Sequence, residues 1–322
     1  MPKLSSLLIP VLVAASVAAH GFVHQFTVNG KAFIGNVPGA NPSPSVIREI
    51  TSQDPVKGAK NSSVTCGNDS TPGSLIANVN PGDTVTFDWR TASLGPWPHN
   101  TGPMLTYMAN CGSTTCDKFD ITKAKWFKIQ QVGKKNDTTW FQADLMTGGV
   151  ATATIPDTLA PGNYLIRHEI IALHLATSFN GAEFYPSCTQ LQVGGSQTGG
   201  PKDSELVSLP GAYSDNDPGI FDPDVFNAGA PYTFPGPPIA SFVTGSADGT
   251  VSPGTGNSTT PTSAQAPAAS QTGSSSSSSG SSKSCKIKKR AASQDNTLFV
   301  RPRHVSRIMR RLGFSHDLPS RR

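Results

Sequence analysis

The sequence predicts an all-β fold, an antiparallel β-sandwich with long loops at its ends. Short runs in which apolar and polar residues alternate recur from His20 onward, and glycine, proline and asparagine separate them. Such runs, with turn residues between them, are typical of antiparallel strands. The same part of the chain shows no convincing long amphipathic helix. Residues 20–243 are numerous enough to bury a sizeable core as one domain.

Four segments carry the strand pattern most clearly. The first alternates from Val85 to Trp89, directly after a turn at 80–83. The predicted strands are 84–89, 151–155, 164–175 and 183–193. Two long stretches, 35–65 and 194–238, are predicted to form loops at the ends of the sandwich. Such loops carry specificity in scaffolds of this kind.

Residues 1–19 have the pattern of an export signal. Lys3 is the only charge, and the run 7–19 is apolar apart from Pro10 and Ser16. This run is too short to span a membrane, and small residues precede the predicted cleavage site after Ala19. Cleavage there predicts a secreted, extracellular protein whose first residue is His20.

The C-terminal part predicts a linker and a basic tail. Residues 244–284 are rich in Ser, Thr and Gly, as in flexible O-glycosylated linkers. The tail, 285–322, is predicted to be disordered or removed after Arg290; a short basic helix for an anionic surface is the alternative. Residues 283–322 carry 12 of the 26 Lys and Arg and two acids, so the rest has a net charge of −5. That balance argues against nucleic acid as a partner.

Five cysteines in an exported chain predict disulfides. Cys111 and Cys116 are close enough to close a small loop, which leaves Cys66 to pair with Cys188 and Cys285 unpaired in the tail. Four cysteines allow three connectivities, and the spacing favours this one. Four Asn-X-Ser/Thr motifs are candidate N-glycosylation sites. These are Asn61, Asn68, Asn136 and Asn257.

Two histidines predict a copper site. A chain that starts at His20 offers its α-amine and its ring nitrogen Nδ1 to one metal ion, and the α-amine loses its proton under mild conditions. His99 lies in a rigid loop rich in Pro and Gly and would add a third nitrogen in the same plane. A tetragonal set of imidazole and amine donors suits Cu(II), whereas zinc favours tetrahedral sites.

Residues on two predicted neighbouring strands complete this site. A period of two places His168 and His174 on one face of 164–175, and Glu183 and Tyr185 on one face of 183–193. We expect the Tyr185 hydroxyl on the copper axis, with His174 and Glu183 as polar neighbours. His168 is interpreted as a structural histidine. His24 alternates with phenylalanines and is predicted to be partly buried rather than a ligand.

Four motifs resemble the fungal lytic polysaccharide monooxygenases of auxiliary-activity family nine, formerly glycoside hydrolase family sixty-one. They are His20 after the signal, PHNTGP at 98–103, RHEIIALH at 167–174 and GAEFYPSC at 181–188. The resemblance runs from His20 to about residue 237. It implies an immunoglobulin/fibronectin-like sandwich with a flat copper-bearing face. It further implies one copper ion and oxidative cleavage of β-1,4-glucan (cellulose, and in some members hemicellulose) at C1 and/or C4.

The resemblance also implies roles for single residues. His20 and His99 would be the copper ligands, Tyr185 the axial ligand and His174 the residue that hydrogen-bonds the oxygen species, with Glu183 beside it. The family usually has glutamine at the Glu183 position, and an ionised carboxylate cannot donate a hydrogen bond. Either Glu183 is protonated or the oxygen contact rests on His174 alone. Fungal members also carry a methyl group on the terminal imidazole.

Substrate and partners follow from the same resemblance. Tyr213 resembles a loop tyrosine that stacks on sugars at the copper face, and a buried tyrosine is the alternative. The expected partners are a cellulose or related β-glucan surface, O2 or H2O2 and an electron donor, with the chain a monomer. Competing readings are a noncatalytic copper-binding protein and a carbohydrate-binding sandwich with incidental histidines. A zinc hydrolase would need a base motif such as H-E-x-x-H, which is missing from the sequence.

Overall fold

The computed structural model describes residues 20–244 and 251–252. Within them, ten strands form two five-stranded sheets, and the helices are four short 3-10 segments. This confirms the predicted all-β sandwich. The strands are β1 Phe22–Val28, β2 Lys31–Ile34, β3 Ala77–Val79, β4 Thr84–Arg90, β5 Met104–Asn110, β6 Trp126–Val132, β7 Val150–Thr154, β8 Gly162–Ala172, β9 Glu183–Val193 and β10 Val251–Ser252. The 3-10 segments are Ser62–Val64, Ile121–Lys123, Phe141–Thr147 and Asp203–Glu205.

The two sheets have the strand orders β10-β7-β4-β1-β2 and β3-β9-β8-β5-β6. Paired strands are antiparallel except β3, which runs parallel to β9. Apolar side chains of both sheets form one core cluster that includes Phe87 of β4 and Ile170 of β8. A second cluster joins the other side of β5, β8 and β9 to the loop at 206–234. These central strands are therefore buried on both faces, which explains their nearly continuous burial.

The strand predictions agree with the structure except at the end of β8. β4 alternates between buried and more exposed residues, as its sequence predicts, and β9 spans 183–193. β8 ends at Ala172 instead of residue 175 because the chain turns at 174–177, where the Ala176 N–H donates to the Leu173 carbonyl. The prediction that His174 continues the face of His168 is therefore wrong, since His174 lies beyond the strand.

Both predicted disulfides are present. Cys66 and Cys188 are joined with a Cα–Cα distance of 5.2 Å, and Cys111 and Cys116 with one of 5.5 Å. The first bond ties the loop before β3 to the middle of β9 across 122 residues. It thus anchors the long N-terminal loop to the strand that carries Glu183 and Tyr185.

Several predicted features fall outside the described residues. They are the signal at 1–19, most of the 244–284 linker, Asn257, Cys285 and the basic tail. Among the three other glycosylation candidates, Asn61 and Asn136 are exposed, whereas Asn68 is half-buried and its Nδ2 donates to the Asp54 carbonyl. No helix in the described part of the chain is long and apolar enough to cross a membrane.

Candidate metal centre

The candidate site lies where β8 ends and β9 begins, beside the loop that leads into β5. In the β8–β9 register, Ala172 pairs with Glu183 and Ile170 pairs with Tyr185. The hydrogen bond from Leu173 to Thr101 brings the His99 loop against the end of β8. Local pairing therefore collects residues that are far apart in sequence at one end of the sandwich.

Four polar side chains converge at this point. Possible ligand atoms of His99, His174 and Glu183 lie within 4.8 Å of one another. Glu183 Oε2 is 3.8 Å from Nε2 of both histidines, whose rings stack at 4.3 Å with a tilt of 13°. The Tyr185 hydroxyl is 3.5 Å from His99 Nε2 and donates to Glu183 Oε2 at 2.8 Å. This arrangement contains the predicted residues except His20.

Trp97 supports the cluster from the core side. Its fully buried ring meets the His99 ring edge-on at 5.3 Å and the Tyr185 ring at 4.8 Å. The indole N–H faces Gln142 Oε1 at 3.5 Å. An aromatic ring fixed in this way limits the positions available to both site residues.

His20 lies next to the cluster. Its ring centroid is 6.4 Å from that of Tyr185, and its Nδ1 is 3.2 Å from Asp54 Oδ1. In the uncleaved chain, its backbone nitrogen is a peptide amide, and only cleavage after Ala19 would turn it into an amine. Gly21 follows directly and packs so closely that a Cβ would lie 2.7 Å from the Arg90 carbonyl oxygen. The residue after His20 is therefore held tightly against β4.

Lys57 is a site residue that the sequence reasoning missed. Its Nζ lies 3.1 Å from Glu183 Oε1 and donates to the Gly181 carbonyl at 3.0 Å. The only signal in the sequence was the unusual acid at 183, because a largely buried carboxylate requires a partner. Lys57 itself lies 126 residues earlier, in a loop with no recognisable motif.

The protonation states follow from these contacts. Burial raises the pKa of Glu183, but hydrogen bonds from Tyr185 and Lys57 and the charge of Lys57 outweigh it, so the pKa lies below its ordinary value. Of the two alternatives for Glu183, this shift favours the ionised one. Burial and the Glu183 charge raise the pKa of Tyr185, which keeps its hydroxyl protonated.

His174 is kept neutral. Burial lowers its pKa, and although the Glu183 charge opposes this shift, Lys57 and His20 add to it. Its Nδ1 is buried and has no hydrogen-bond partner among the described residues. A neutral imidazole can serve either as a ligand or as a hydrogen-bond donor.

The assignment of Tyr213 to an exposed sugar-binding surface is wrong. Its side chain is only 4% exposed, and its ring stacks on Phe184 at 6.1 Å. Its hydroxyl lies 2.8 Å from Glu169 Oε2 and 3.0 Å from the Tyr107 hydroxyl. Glu169 is fully buried beside Arg167, and Tyr213 supplies one of the hydrogen bonds that such a buried pair needs.

An exposed ring is found instead at Phe179, which the sequence reasoning did not single out. It is 54% exposed and meets Phe221 edge-on at 6.1 Å. Phe179 lies in the loop 173–182, whose two ends carry His174 and Glu183. A large aromatic ring in a short loop between two site residues is the signal that could have found it.

The two remaining histidines of the described part have other surroundings. His168 is 2% exposed, stacks on Phe87 at 4.4 Å, and its Nδ1 accepts a hydrogen bond from Trp89 at 3.1 Å. His24 is partly buried, as predicted, and packs edge-on against Phe22. His168 is therefore a structural residue of the core.

The donor types in the cluster fit copper. The group combines two imidazoles, the Glu183 carboxylate and a neutral phenol, and cleavage before His20 would add an amine and a third imidazole. Both described cysteine pairs are bound in disulfides. Such a set suits copper better than hard oxygen-binding ions.

Comparison with known proteins decides the family. The model of "Auxiliary Activity family 9 (formerly GH61)" matches residues 20–232. The chain belongs to auxiliary-activity family 9. It is 51% identical over 316 residues to the family 9 lytic polysaccharide monooxygenase D of Gloeophyllum trabeum, a match covering 92% of this chain and 91% of that protein. It is 38% identical to monooxygenase B of Malbranchea cinnamomea, covering 71% and 95% respectively.

Solved structures of family 9 enzymes share the fold. The chain superimposes on HiLPMO9B with a TM-score of 0.62 at 36% identity, covering 68% of this chain and 99% of that one. A cellulose-active polysaccharide monooxygenase from M. thermophila gives a TM-score of 0.61 at 34% identity, covering 68% and 98%. Family 9 enzymes are secreted copper-dependent oxidoreductases. The chain is accordingly a copper-dependent lytic polysaccharide monooxygenase.

Proposed function

We propose that this family 9 enzyme cleaves β-1,4-glucan chains of cellulose by oxidation at C1 and/or C4. The observation that carries the proposal is the convergence of His99, His174, Glu183 and Tyr185 next to His20. The similarity to a solved enzyme described as cellulose-active supports this choice of substrate.

The ligands that we propose are His20, His99 and Tyr185. After cleavage behind Ala19, His20 would supply its amine and Nδ1, the latter once it gives up its contact with Asp54. His99 would supply Nε2, and the protonated Tyr185 would supply its hydroxyl oxygen. Bound copper would supply the redox chemistry by which O2 or H2O2, with electrons from a donor, removes a hydrogen from sugar C1 or C4.

The other residues prepare the site for this chemistry. His174, neutral and held against His99, would offer a ring N–H to the oxidant. The ionised Glu183 cannot donate, so we assign it the task of accepting from Tyr185 and fixing that hydroxyl. The oxygen contact would then rest on His174 alone.

Phe179 replaces Tyr213 in our proposal for substrate binding. Exposed aromatic rings stack on the apolar faces of sugars, and Phe179 is the exposed ring in the loop between His174 and Glu183. An enzyme working on a crystal surface needs such a ring, because it cannot draw the chain into a cleft as paired-carboxylate hydrolases do. We propose that the enzyme acts as a monomer on this surface.

We further propose the domain organisation that the sequence predicts. Residues 1–19 would be removed on secretion, 20–243 would form the enzyme, and 244–284 would connect it to the basic tail at 285–322. N-terminal sequencing of the exported protein should begin at His20. A start at any other residue would exclude the His20 amine from the site.

The test compares wild type and His99→Ala, both starting at His20, with His24→Gln as a matched control outside the cluster. With copper and cellulose, the wild type and the control should release oxidised oligosaccharides in mass spectra only when ascorbate is added. His99→Ala should release none, and its copper affinity should fall by at least about 100-fold. If the wild type binds copper but releases no oxidised products, the result favours a noncatalytic copper-binding protein. If it binds cellulose equally well after the copper is removed by a chelator and releases no oxidised products, the result favours a carbohydrate-binding protein.

The substrate role of Phe179 has its own test. Phe179→Ala should weaken binding to cellulose roughly three- to tenfold, as expected for the loss of one stacking ring. Ile34→Ala removes an equally exposed side chain from β2 and serves as the control. Pull-down isotherms on microcrystalline cellulose measure both, and equal affinities would contradict the role of Phe179.

A further inference from the structure

Lys57 is held at the metal centre by backbone pairing rather than by its flexible side chain. The preceding residue, Val56, forms a two-way bridge with Phe184: Val56 N–H donates to the Phe184 carbonyl at 2.9 Å, and Phe184 N–H donates back at 3.1 Å. Val56 is fully buried, so this bridge is protected from water. Lys57 and Glu183 are thus fixed as neighbours on two paired segments.

The Lys57 ammonium contacts both the Glu183 carboxylate and the backbone of the turn that precedes Glu183. Nζ lies 3.1 Å from Glu183 Oε1 and donates to the Gly181 carbonyl at 3.0 Å. It therefore holds the Glu183 side chain and the end of the loop 173–182 in a fixed relation. The Lys57 side chain is 44% exposed, whereas that of Glu183 is 8% exposed. Glu183 therefore depends on this contact to stabilise its charge far more than Lys57 does, because water reaches the lysine.

The two oxygens of Glu183 have different tasks. Oε1 faces Lys57, while Oε2 accepts from the Tyr185 hydroxyl at 2.8 Å and lies 3.8 Å from both His99 and His174. A carboxylate held only through Oε2 could rotate about its terminal torsion, which is soft. With Lys57 on Oε1, the carboxylate plane is set and the Tyr185 hydroxyl is directed.

We propose that Lys57 is a positioning residue and that Lys57 and Glu183 act as one unit, which holds the Tyr185 hydroxyl in place beside the histidines. The unit has no net charge, and Lys57 fixes through Oε1 the carboxylate whose Oε2 accepts from the Tyr185 hydroxyl. The inference rests on the proposed function, because the proposed function makes Tyr185 a copper ligand.

A double-mutant cycle tests the unit with Lys57→Met, Glu183→Gln and the double variant. Lys57→Met leaves a buried carboxylate unpaired, so turnover on cellulose should fall at least about tenfold and the melting temperature of the copper-free protein should drop. Glu183→Gln should have a smaller effect, because water can solvate the half-exposed lysine. The double variant, with a neutral pair, should recover most of both properties.

Copper(II) electron paramagnetic resonance gives a readout that general destabilisation would not move. The Lys57→Met spectrum should differ from that of the wild type, and the double variant should return towards it. Lys57→Arg keeps a cationic donor and should preserve the spectrum even if Lys57→Met folds poorly. Lys60→Met removes an exposed lysine from the same loop and is the matched control.

Two outcomes separate this inference from the proposed function. If the wild type releases no oxidised products, the proposed function is overturned. If products form but the effects of the two single substitutions simply add, or Lys57→Met matches Lys60→Met in turnover and spectrum, only the unit is overturned.

Discussion

Acid should destabilise this protein through one buried histidine. His168 is 2% exposed, stacks on Phe87 and uses Nδ1 to accept from Trp89, so its neutral form is the one that fits the core. Burial, together with the nearby charge of Arg167, lowers its pKa from 6.5 to about 3. The unfolded chain therefore takes up a proton from pH 6.5 downward, while the folded chain does not until pH approaches 3. The contribution of His168 to stability is complete above pH 6.5 and is lost progressively as the pH falls towards 3.

The size of this effect follows from the window between the two pKa values. Each pH unit below 6.5 costs about 1.4 kcal/mol, so at pH 4.5 the loss is about 2.7 kcal/mol. That is a large fraction of the roughly 5–15 kcal/mol by which domains are stable. Because His168 is almost fully buried, solvent screening takes little from this figure.

The effect is measured by urea unfolding of two copper-free proteins, the wild type and His168→Gln, each at pH 7.5 and pH 4.5. The quantity compared is the free energy of unfolding. The glutamine oxygen can still accept from Trp89 but carries no charge at either pH. Acid effects from all other groups cancel in the difference between the two proteins. The wild type should lose about 2–3 kcal/mol more than the variant on acidification. If wild type and variant differ in free energy of unfolding by the same amount at both pH values, the buried, neutral state of His168 is refuted.

Two further predictions concern buried polar groups, one packed against the sheet that carries the site and one within it. Tyr213→Phe should lower the free energy of unfolding by about 1–2 kcal/mol, because Glu169 and Tyr107 lose a hydrogen-bond partner in the core, and leave cellulose affinity unchanged. A loss of cellulose affinity without a loss of stability would restore Tyr213 to the binding surface. Burial lowers the pKa of Lys128 from 10.5 to about 8, so the charged form is disfavoured in the fold and stability should rise between pH 8 and 10.5. Lys128→Met, compared by chemical unfolding across this range, should lack that rise; a parallel rise in both proteins would contradict it.

The strands and the family motifs could be predicted from the sequence because they rest on local patterns. Alternation over a few residues shows which side chains face the core, as in β4, and proline or glycine shows where a strand must stop. The small loop between Cys111 and Cys116 is likewise set by short-range geometry. Strand faces, strand ends and small disulfide loops can be predicted because they depend on residues that are close together in the sequence.

The errors came where distant segments decide the outcome. β8 stops early because the chain turns at 174–177, and Asp222, more than forty residues later, donates its N–H to the Ala176 carbonyl in that turn. Tyr213 is buried because a loop folds back over the outer face of the second sheet and meets the Arg167–Glu169 pair there. Nothing next to either residue in the chain carries that information.

Glu183 shows which part of a contact between distant segments can be predicted from the sequence and which part cannot. An acid that is only 8% exposed must find a cation or lose its charge, so its presence alone predicts a partner. With 26 Lys and Arg in the chain, the sequence cannot say which one, and the bridge between Val56 and Phe184 is what selects Lys57. A substitution at the metal centre can thus be seen locally, while its compensation is set by the tertiary fold. The same reasoning applies to any relative in which this acid occurs: the cation should then appear on the segment paired with the start of β9, and a relative with the acid and without that cation would argue against the unit.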